Sequence, residues 1–436
     1  MSRPRRYVIV GNGVAGATAA LTLRARDDRA DISMVSDEGP YFFSRTALMY
    51  AFMDRLPRRA MEPFERKVWD EQRITRVTER VTDLDVGAGA LRTKGGTSIP
   101  FDRLLLATGS TPRRLEAEGL SPDTDGLVHF VTMQDLDACE RWAPTTREAV
   151  VVGGGLIGIE LVECLLHHGV KTTFLVREPW YWPVALCREE GDLITEHMRA
   201  MGADVRLGVT LEGVERDASG RVSGVRTSEG EALPAQMLGV SIGVVPRVEW
   251  LREAKTPPRL NRGILVDDAL KTSLDGVWAA GDCAEIEWPD RPAQVEQIWY
   301  SAKRQGELAA RNMSGPPARY APPVFFNSAK FFEVEYTTVG ELTRVPEGSM
   351  SVYRAHPTKP LTQRVVHDGG KVLGFNFLGS RWDHALLSRW IVEERPLDWV
   401  LSHLRDAQFD VELGRADLSR MVEREIPVAL PELRRA

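Results

Sequence analysis

"RRYVIVGNGVAGATAALTLRAR", residues 5–26, decides the fold. An apolar run from Tyr7 to Val10 ends at glycines spaced Gly11-x-Gly13-x-x-Gly16 and passes into an alanine- and leucine-rich segment. That order predicts a buried strand, a tight turn and a helix. "ADISMVSDE" (30–38) then supplies a second strand with acidic residues at its end, completing a βαβ unit. Glycines in such a turn let a pyrophosphate approach backbone N–H groups at a helix start. Gly11, Gly13, Val14, Ala15 and Gly16 are therefore candidate contacts, and Glu38, or Asp37, can accept hydrogen bonds from a ribose. A glycine turn without a ligand would carry the same residues, but the strand-turn-helix setting favours a nucleotide.

The same grammar recurs in "REAVVVGGGLIGIELVECLLHHGVKTTFLVRE", residues 147–178. Here Gly153, Gly155, Leu156, Ile157 and Gly158 are the candidate contacts. Two fingerprints in one chain point to two dinucleotides rather than to two coincidences. At the end of the second strand Val176 stands where an acidic ribose ligand would be expected, and Arg177 follows, able to neutralise a 2′-phosphate. That favours NADPH. Glu178 beside it, and the lack of a second nearby arginine, keep NADH open, and a solvated loop charge is the plain alternative for Arg177.

Around these units the chain alternates strand and turn signals. "FDRLLLATGSTPRR" (101–114) reads as a strand running into a Gly/Pro turn, and residues 205–230 as a meander. "QMLGVSIGVVPRVEWL" (236–251) leaves the second unit, and "GILVDDALKTSLDGVWAAGDCAEI" (263–286) returns to the first. "QVEQIWYSAKRQGELAARNM" (294–313) predicts a helix ahead of the breaker "SGPPARYAPP" (314–323). From Val324 the tail mixes aromatic strands with helical stretches. The expected class is α/β: two Rossmann-like dinucleotide-binding domains plus a small C-terminal α+β domain. The boundaries follow as 1–113 with 247–321, then 114–246, then 322–436.

The chain of 436 residues is 43% hydrophobic and 27% charged, which gives room for about three domains with filled cores. A net charge of -6 offers no electrostatic case for nucleic acid. "RLPRRAMEPFERK" (55–67) reads as a solvated face or as a meeting point for an acidic partner. Cys139, Cys164, Cys187 and Cys283 show neither a CxxC pair nor metal-ligand spacing, so no disulfide framework and no metal site is expected, and a reducing cytoplasm fits. The apolar run in "MSRPRRYVIVGNG" (1–13) is too short for a signal peptide, and no stretch is long enough to span a bilayer.

Four elements in order, "VIVGNGVAG" (8–16), "LLLATGSTP" (104–112), "VVVGGGLIGIE" (150–160) and "VWAAGDCAE" (277–285), resemble the FAD-dependent pyridine nucleotide oxidoreductases. The likeness covers residues 5 to 345. It implies that Thr108 and Gly109 form a turn near both cofactors, that Asp282 binds the ribityl chain of FAD, and that Gly281 lets the backbone approach a phosphate. It also puts Gly243, Gln297 and Ile298 among the cofactor contacts, the last two at a helix start facing the flavin pyrimidine. Glu160 matches a family glutamate near the nicotinamide, or is a charge placed for the helix dipole.

"YFFSRTALMY" (41–50) sits where many relatives carry a redox cysteine and holds Ser44, Arg45 and Thr46 instead. Arg45-x-x-Leu48 resembles the Arg-Pro-Pro-Leu-Ser-Lys run of ferredoxin and rubredoxin reductases and the related segment of NAD(P)H-nitrite reductase flavin domains. Arg45 would then lie against the flavin, with Tyr50 replacing the family lysine; these two and Glu160 are the candidate catalytic residues. Ser328-Ala329-Lys330-Phe331-Phe332 replaces the family's Trp-Ser-Asp-Gln-Tyr beside the flavin, which alters the acceptor side. The implied activity is hydride transfer from NAD(P)H to FAD, then electron release to a small iron-sulfur protein such as a ferredoxin, without a cysteine relay. An NAD(P)H oxidase, a quinone or small-molecule reductase, and a redox-responsive flavin-binding assembly protein remain open. The tail reads as a homodimer surface, an acceptor dock or a plain aromatic core.

Overall fold

The strand Arg6–Val10 carries Tyr7, Val8, Ile9 and Val10 fully out of solvent, as a central parallel strand covered on both faces requires. Each apolar side chain so buried contributes ~1.5–3 kcal/mol. In the computed structural model, which describes residues 3–409, 418 and 420–428, this strand pairs in parallel with Asp31–Val35 on one side and Arg103–Leu106 on the other. Ile74–Val77 and Val277–Ala279 extend the sheet to five parallel strands. The helices Val14–Arg26 and Trp299–Ser314 pack so closely that a Cβ on Gly306 would collide with the Ala15 carbonyl oxygen. An antiparallel meander, Val81–Asp85, Ala90–Thr93 and Ser98–Pro100, completes a compact unit built from Met1–Arg113, His129–Arg141 and Gly243–Ala321.

A second unit comprises Arg114–Val128, Trp142–Ile242 and Pro322–Ala436. Its parallel sheet runs Asp204–Leu207, Lys171–Val176, Glu148–Val152, Met237–Val240, Leu127–Val128, with the meander Leu211–Arg216, Val222–Thr227 and Ala232–Pro234 beside it. The tail forms an antiparallel sheet in the order Phe326–Phe331, Val334–Gly340, Lys371–Leu378, Thr362–Asp368, Met350–Ala355, Val422–Pro427. Val339, Val365, Phe375 and Phe377 on one face of that sheet pack with Leu387 and Trp390 of the helix His384–Val392 and Val400 of Leu397–His403. The sheet's opposite face is anchored by an ion pair: Arg364 Nε donates to Glu190 Oε1 at 3.1 Å and its Nη2 lies 3.0 Å from Oε2, with the two side chains 3% and 0% exposed.

Two departures from the sequence expectation have local causes. The helix predicted from Gln294 starts only at Trp299, because Gln294 and Val295 pair antiparallel with Ile286 and Glu285 and Ile298 is extended. Residues 129–141, which the sequence assigns with 114–246, pack in the first unit. Arg45 donates to the Val131 carbonyl, the Met133 N–H donates to Glu38, Arg58 pairs with Asp137 and Glu140, and Phe52 meets the Phe130 ring. Among the described residues no helix is long and apolar enough to cross a membrane.

Candidate functional site

The first glycine turn is shaped by collisions that only glycine avoids. Gly11 has φ +106°, and a Cβ there would strike the Ala107 carbonyl oxygen; a Cβ on Gly16 would strike the Gly11 carbonyl oxygen. Gly13 differs, with no atom within 4 Å of its Cβ position. It is also the N-cap of Val14–Arg26, and no side chain caps that helix. The first N–H groups of Val14, Ala15 and Gly16 thus lack an intrahelical partner beside open space, which is the donor set an anionic pyrophosphate needs. Buried Asn12 fixes the turn by donating to the Gly39 and Tyr41 carbonyls at 2.7 and 3.3 Å. The sequence reading missed Asn12; asparagine within a glycine turn is the signal, since its amide bonds nearby backbone.

The structure brings Glu38 and Arg45 together. Oε1 of Glu38 accepts from Arg45 Nη1 at 2.8 Å and from the Met133 N–H at 3.0 Å, while Oε2 accepts, among the described residues, from Arg45 Nη2 alone. Acceptor capacity therefore remains on Oε2, enough for a ribose hydroxyl. Arg45 is 42% exposed in its side chain, and Tyr50, on the short helix Leu48–Phe52, is also exposed.

Asp282 accepts from Ser110 Oγ at 2.9 Å; burial raises its carboxyl above the ordinary value, opposed by that bond and by the Arg45 charge. Thr108 Oγ1 donates to the Arg247 carbonyl at 2.8 Å, and the Gly109 carbonyl accepts from the Arg247 N–H at 2.9 Å. These bonds close the pair Ser110–Pro112 and Val244–Pro246, at whose end the Gly243 carbonyl takes the Arg113 N–H at 3.0 Å. Gln297 lies exposed with its amide 3.5 Å from the Val244 carbonyl oxygen, and Ile298 is the N-cap of Trp299–Ser314 without a side-chain cap. An open glycine cradle, uncapped helix starts and two carboxylates with spare acceptor capacity fit the pyrophosphate, ribose and ribityl hydroxyls of FAD.

The second turn repeats the design. Gly153 has φ +115° and would strike the Ser241 carbonyl oxygen with a Cβ; Gly158 would strike that of Gly153. Gly155, N-cap of Leu156–His167, has open space at its Cβ position and no side-chain cap, with Leu156 and Ile157 the first helical residues beyond it. Fully buried Tyr181, not singled out in the sequence, donates to the Gly155 carbonyl at 3.3 Å. Arg177 is exposed and pairs with Glu178 at 3.0 Å.

Glu160 is partly buried and finds no hydrogen-bond partner among the described residues. Burial, with repulsion from Glu163, pushes its carboxyl up to about 7 from an ordinary 4.5. A folded-state value above the unfolded one means that ionising Glu160 disfavours the fold, so stability falls as pH rises from about 4.5 through about 7. Glu160→Gln is expected to remove that loss, on the order of 1–3 kcal/mol between pH 5 and 7.5, in paired urea titrations. An unchanged pH slope would contradict it.

Cys139, Cys164 and Cys283 are buried, Cys187 is partly buried, and none of the four is in a disulfide. Of the segment that replaces the family's Trp-Ser-Asp-Gln-Tyr, Phe331 is fully buried against the rings of Tyr181, Trp182 and Tyr336, and Ser328 Oγ lies 2.7 Å from His384 Nε2.

A family model described as pyridine nucleotide-disulphide oxidoreductase matches residues 5–306. The ferredoxin reductase subunit of 5,5'-dehydrodivanillate O-demethylase from a Sphingobium species is 31% identical over 344 residues, covering 76% of this chain and 81% of that protein. Rhodocoxin reductase of Rhodococcus erythropolis is 27% identical over 420 residues, 94% of each chain. Among solved structures, the covalent putidaredoxin reductase-putidaredoxin complex superposes with a TM-score of 0.81 at 21% identity, over 91% of this chain and 94% of that one.

Proposed function

We propose that this chain, which belongs to the pyridine nucleotide-disulphide oxidoreductase family, passes electrons from NADPH through FAD to a small iron-sulfur protein, with no thiol in the path. Membership makes it an FAD-dependent NAD(P)H oxidoreductase. FAD, when bound, supplies the chemistry of accepting hydride and releasing electrons singly or in pairs. The observation that carries the thiol-free reading is Ser44, Arg45 and Thr46 at the position of the family's relay, in a chain whose four cysteines are largely buried and in no disulfide. The iron-sulfur acceptor is supported by the relatives, one named a ferredoxin reductase subunit and another a rhodocoxin reductase.

In this proposal the Gly11–Gly16 turn holds the FAD pyrophosphate and Glu38 Oε2 the ribose, with Arg45 fixing the Glu38 carboxylate. Asp282 takes the ribityl hydroxyls, and Thr108, Gly109, Gly243, Gln297 and Ile298 shape the flavin end. The Gly153–Gly158 turn receives the nicotinamide dinucleotide, and Arg177 takes the 2′-phosphate once freed from Glu178. Glu160, held largely protonated by burial at pH values below about 7, offers a hydrogen-bond donor rather than a charge near the nicotinamide. FAD is assigned to segments 1–113 and 247–321, beside which 129–141 packs, the nicotinamide dinucleotide to the rest of 114–246, and the acceptor side to the tail 322–436.

The test is anaerobic titration of the FAD-loaded protein with NADPH and with NADH, followed by turnover with ferredoxin, rubredoxin, quinone and oxygen. Bleaching of the flavin band and reduction of an iron-sulfur protein are expected; turnover with quinone or oxygen alone would overturn the acceptor assignment. Arg177→Ala is expected to lower kcat/KM for NADPH about tenfold and to leave NADH unchanged, the size of one lost charge-assisted bond. Equal losses for both cofactors would remove Arg177 from the 2′-phosphate.

A further inference from the structure

Behind the Gly281–Asp282 turn lies a directed chain of buried and half-buried hydrogen bonds that none of the motifs contains. The Gly281 N–H donates to Gln305 Oε1 at 2.8 Å; Gln305 Nε2 faces Glu296 Oε2 at 3.4 Å; the Tyr320 hydroxyl donates to the same oxygen at 2.8 Å. Gln305 is 0% exposed and Tyr320 5%. The direction is forced from both ends. Gly281 brings a donor, so the Gln305 amide must turn its oxygen toward it and its NH2 away; a carboxylate, which only accepts, meets both that NH2 and the tyrosine hydroxyl. Exchanging any member for one of opposite polarity sets two donors or two acceptors face to face, inside protein where an unmade bond is costly.

The chain also ties together three places in the first unit. Glu296 precedes the helix Trp299–Ser314, Gln305 sits in its middle, and Tyr320 follows its end. Gly281 itself has φ +80° and is wedged between Ala15 and Ala302, whose Cβ atoms would lie 3.1 and 3.6 Å from a Cβ placed on it. The Gly281 carbonyl accepts from the Ala284 N–H at 2.9 Å, so Gln305 and Ala284 hold the two peptides on either side of this glycine, and Asp282 leaves the backbone from the second of them.

We propose that Gln305, Glu296 and Tyr320 are positioning residues for FAD: they hold the Gly281 peptide so that Asp282 meets the ribityl hydroxyls and the start of Trp299–Ser314 meets the flavin. This rests on the assignment of FAD to the first unit. Gln305→Leu keeps the volume and removes both bonds. Apoprotein reconstituted with FAD is expected to bind it about tenfold or more weakly, the size of a buried N–H left without a partner. The visible circular dichroism of the bound flavin should change with it. The exchange Glu296→Gln with Gln305→Glu keeps the Gly281 N–H facing an acceptor, and lets the two hydrogens of the Gln NH2 go to Glu and to the Tyr320 hydroxyl oxygen, which changes from donor to acceptor. That double variant is expected to regain FAD affinity to within about threefold, which no account based on packing alone requires.

Gln305→Leu that melts earlier as apoprotein yet binds FAD with wild-type affinity and dichroism would make the chain purely structural and overturn the proposal. If Gln305→Leu does not fold, the double exchange carries the test, and its failure to bind FAD with wild-type dichroism overturns it equally. A wild-type apoprotein that takes up no FAD would instead refute the cofactor assignment, and a wild-type holoprotein that reduces no iron-sulfur protein would refute only the acceptor.

Discussion

Gly13→Ala is expected to give a folded, colourless protein, whereas Gly11→Ala is expected not to fold stably at all. Both residues lie in one turn, but their surroundings differ. A methyl group on Gly11 meets the Ala107 carbonyl oxygen and forces an alanine into φ +106°. The left-handed backbone costs ~1–2 kcal/mol, and the overpacking adds ~1–3 kcal/mol. Gly13 has φ −67°, which alanine adopts freely, and nothing within 4 Å, so the apoprotein should melt within about 1 kcal/mol of wild type. What the methyl group occupies is the open side of the cradle, where a pyrophosphate has to touch the backbone. Loss of FAD by at least about a hundredfold is expected, because the helix N–H groups are then screened from their anion. Gly155→Ala provides the matched case: the protein should purify yellow and resist reduction by NADPH. Tight FAD binding by Gly13→Ala, or normal reduction of Gly155→Ala, would show that these open glycines do not face phosphates.

A loss of stability of similar size is expected from Arg364→Met. The substitution leaves Glu190, 0% exposed, without its charged partner, and removing one member of a buried pair costs ~3–5 kcal/mol. Arg364 also donates to the Ala185 carbonyl at 2.8 Å, and that acceptor is orphaned too. Pairing Arg364→Met with Glu190→Leu should recover most of the loss, since two apolar side chains of similar volume leave no uncompensated charge. Urea titration of the single and double variants decides it: a single variant as stable as wild type would mean that water reaches Glu190.

Both βαβ units were legible because their information is local. Apolar runs, glycine spacing and an acid at a strand end lie within some thirty residues of one another, and sterics at Gly11, Gly16, Gly153 and Gly158 leave few alternatives. The absent cysteine could be read in the same way. What could not be read depends on partners distant in the chain. Glu38 and Arg45 were each identified, yet that Arg45 would occupy the Glu38 carboxylate depends on the segment 129–141 lying over both. Gln294 and Val295 look helical until Glu285 and Ile286 offer them a ladder. Asn12, Gln305 and the Glu190–Arg364 pair are ordinary polar residues in sequence, and only burial reveals what they hold.

The first unit closes its sheet late. Val277–Ala279 pairs with Arg103–Leu106, in the register Val277 with Leu104 and Ala279 with Leu106. On a ribosome the strand at 103–106 therefore emerges with one edge bare and waits for its neighbour. At ~5–20 residues per second that wait lasts roughly 9–34 s, an interval in which an apolar, unpaired strand is open to other nascent chains. Slow translation, or a truncated message ending before residue 277, should send the product to chaperones or inclusion bodies, and FAD cannot rescue it, because the turn carrying Asp282 has not yet been made.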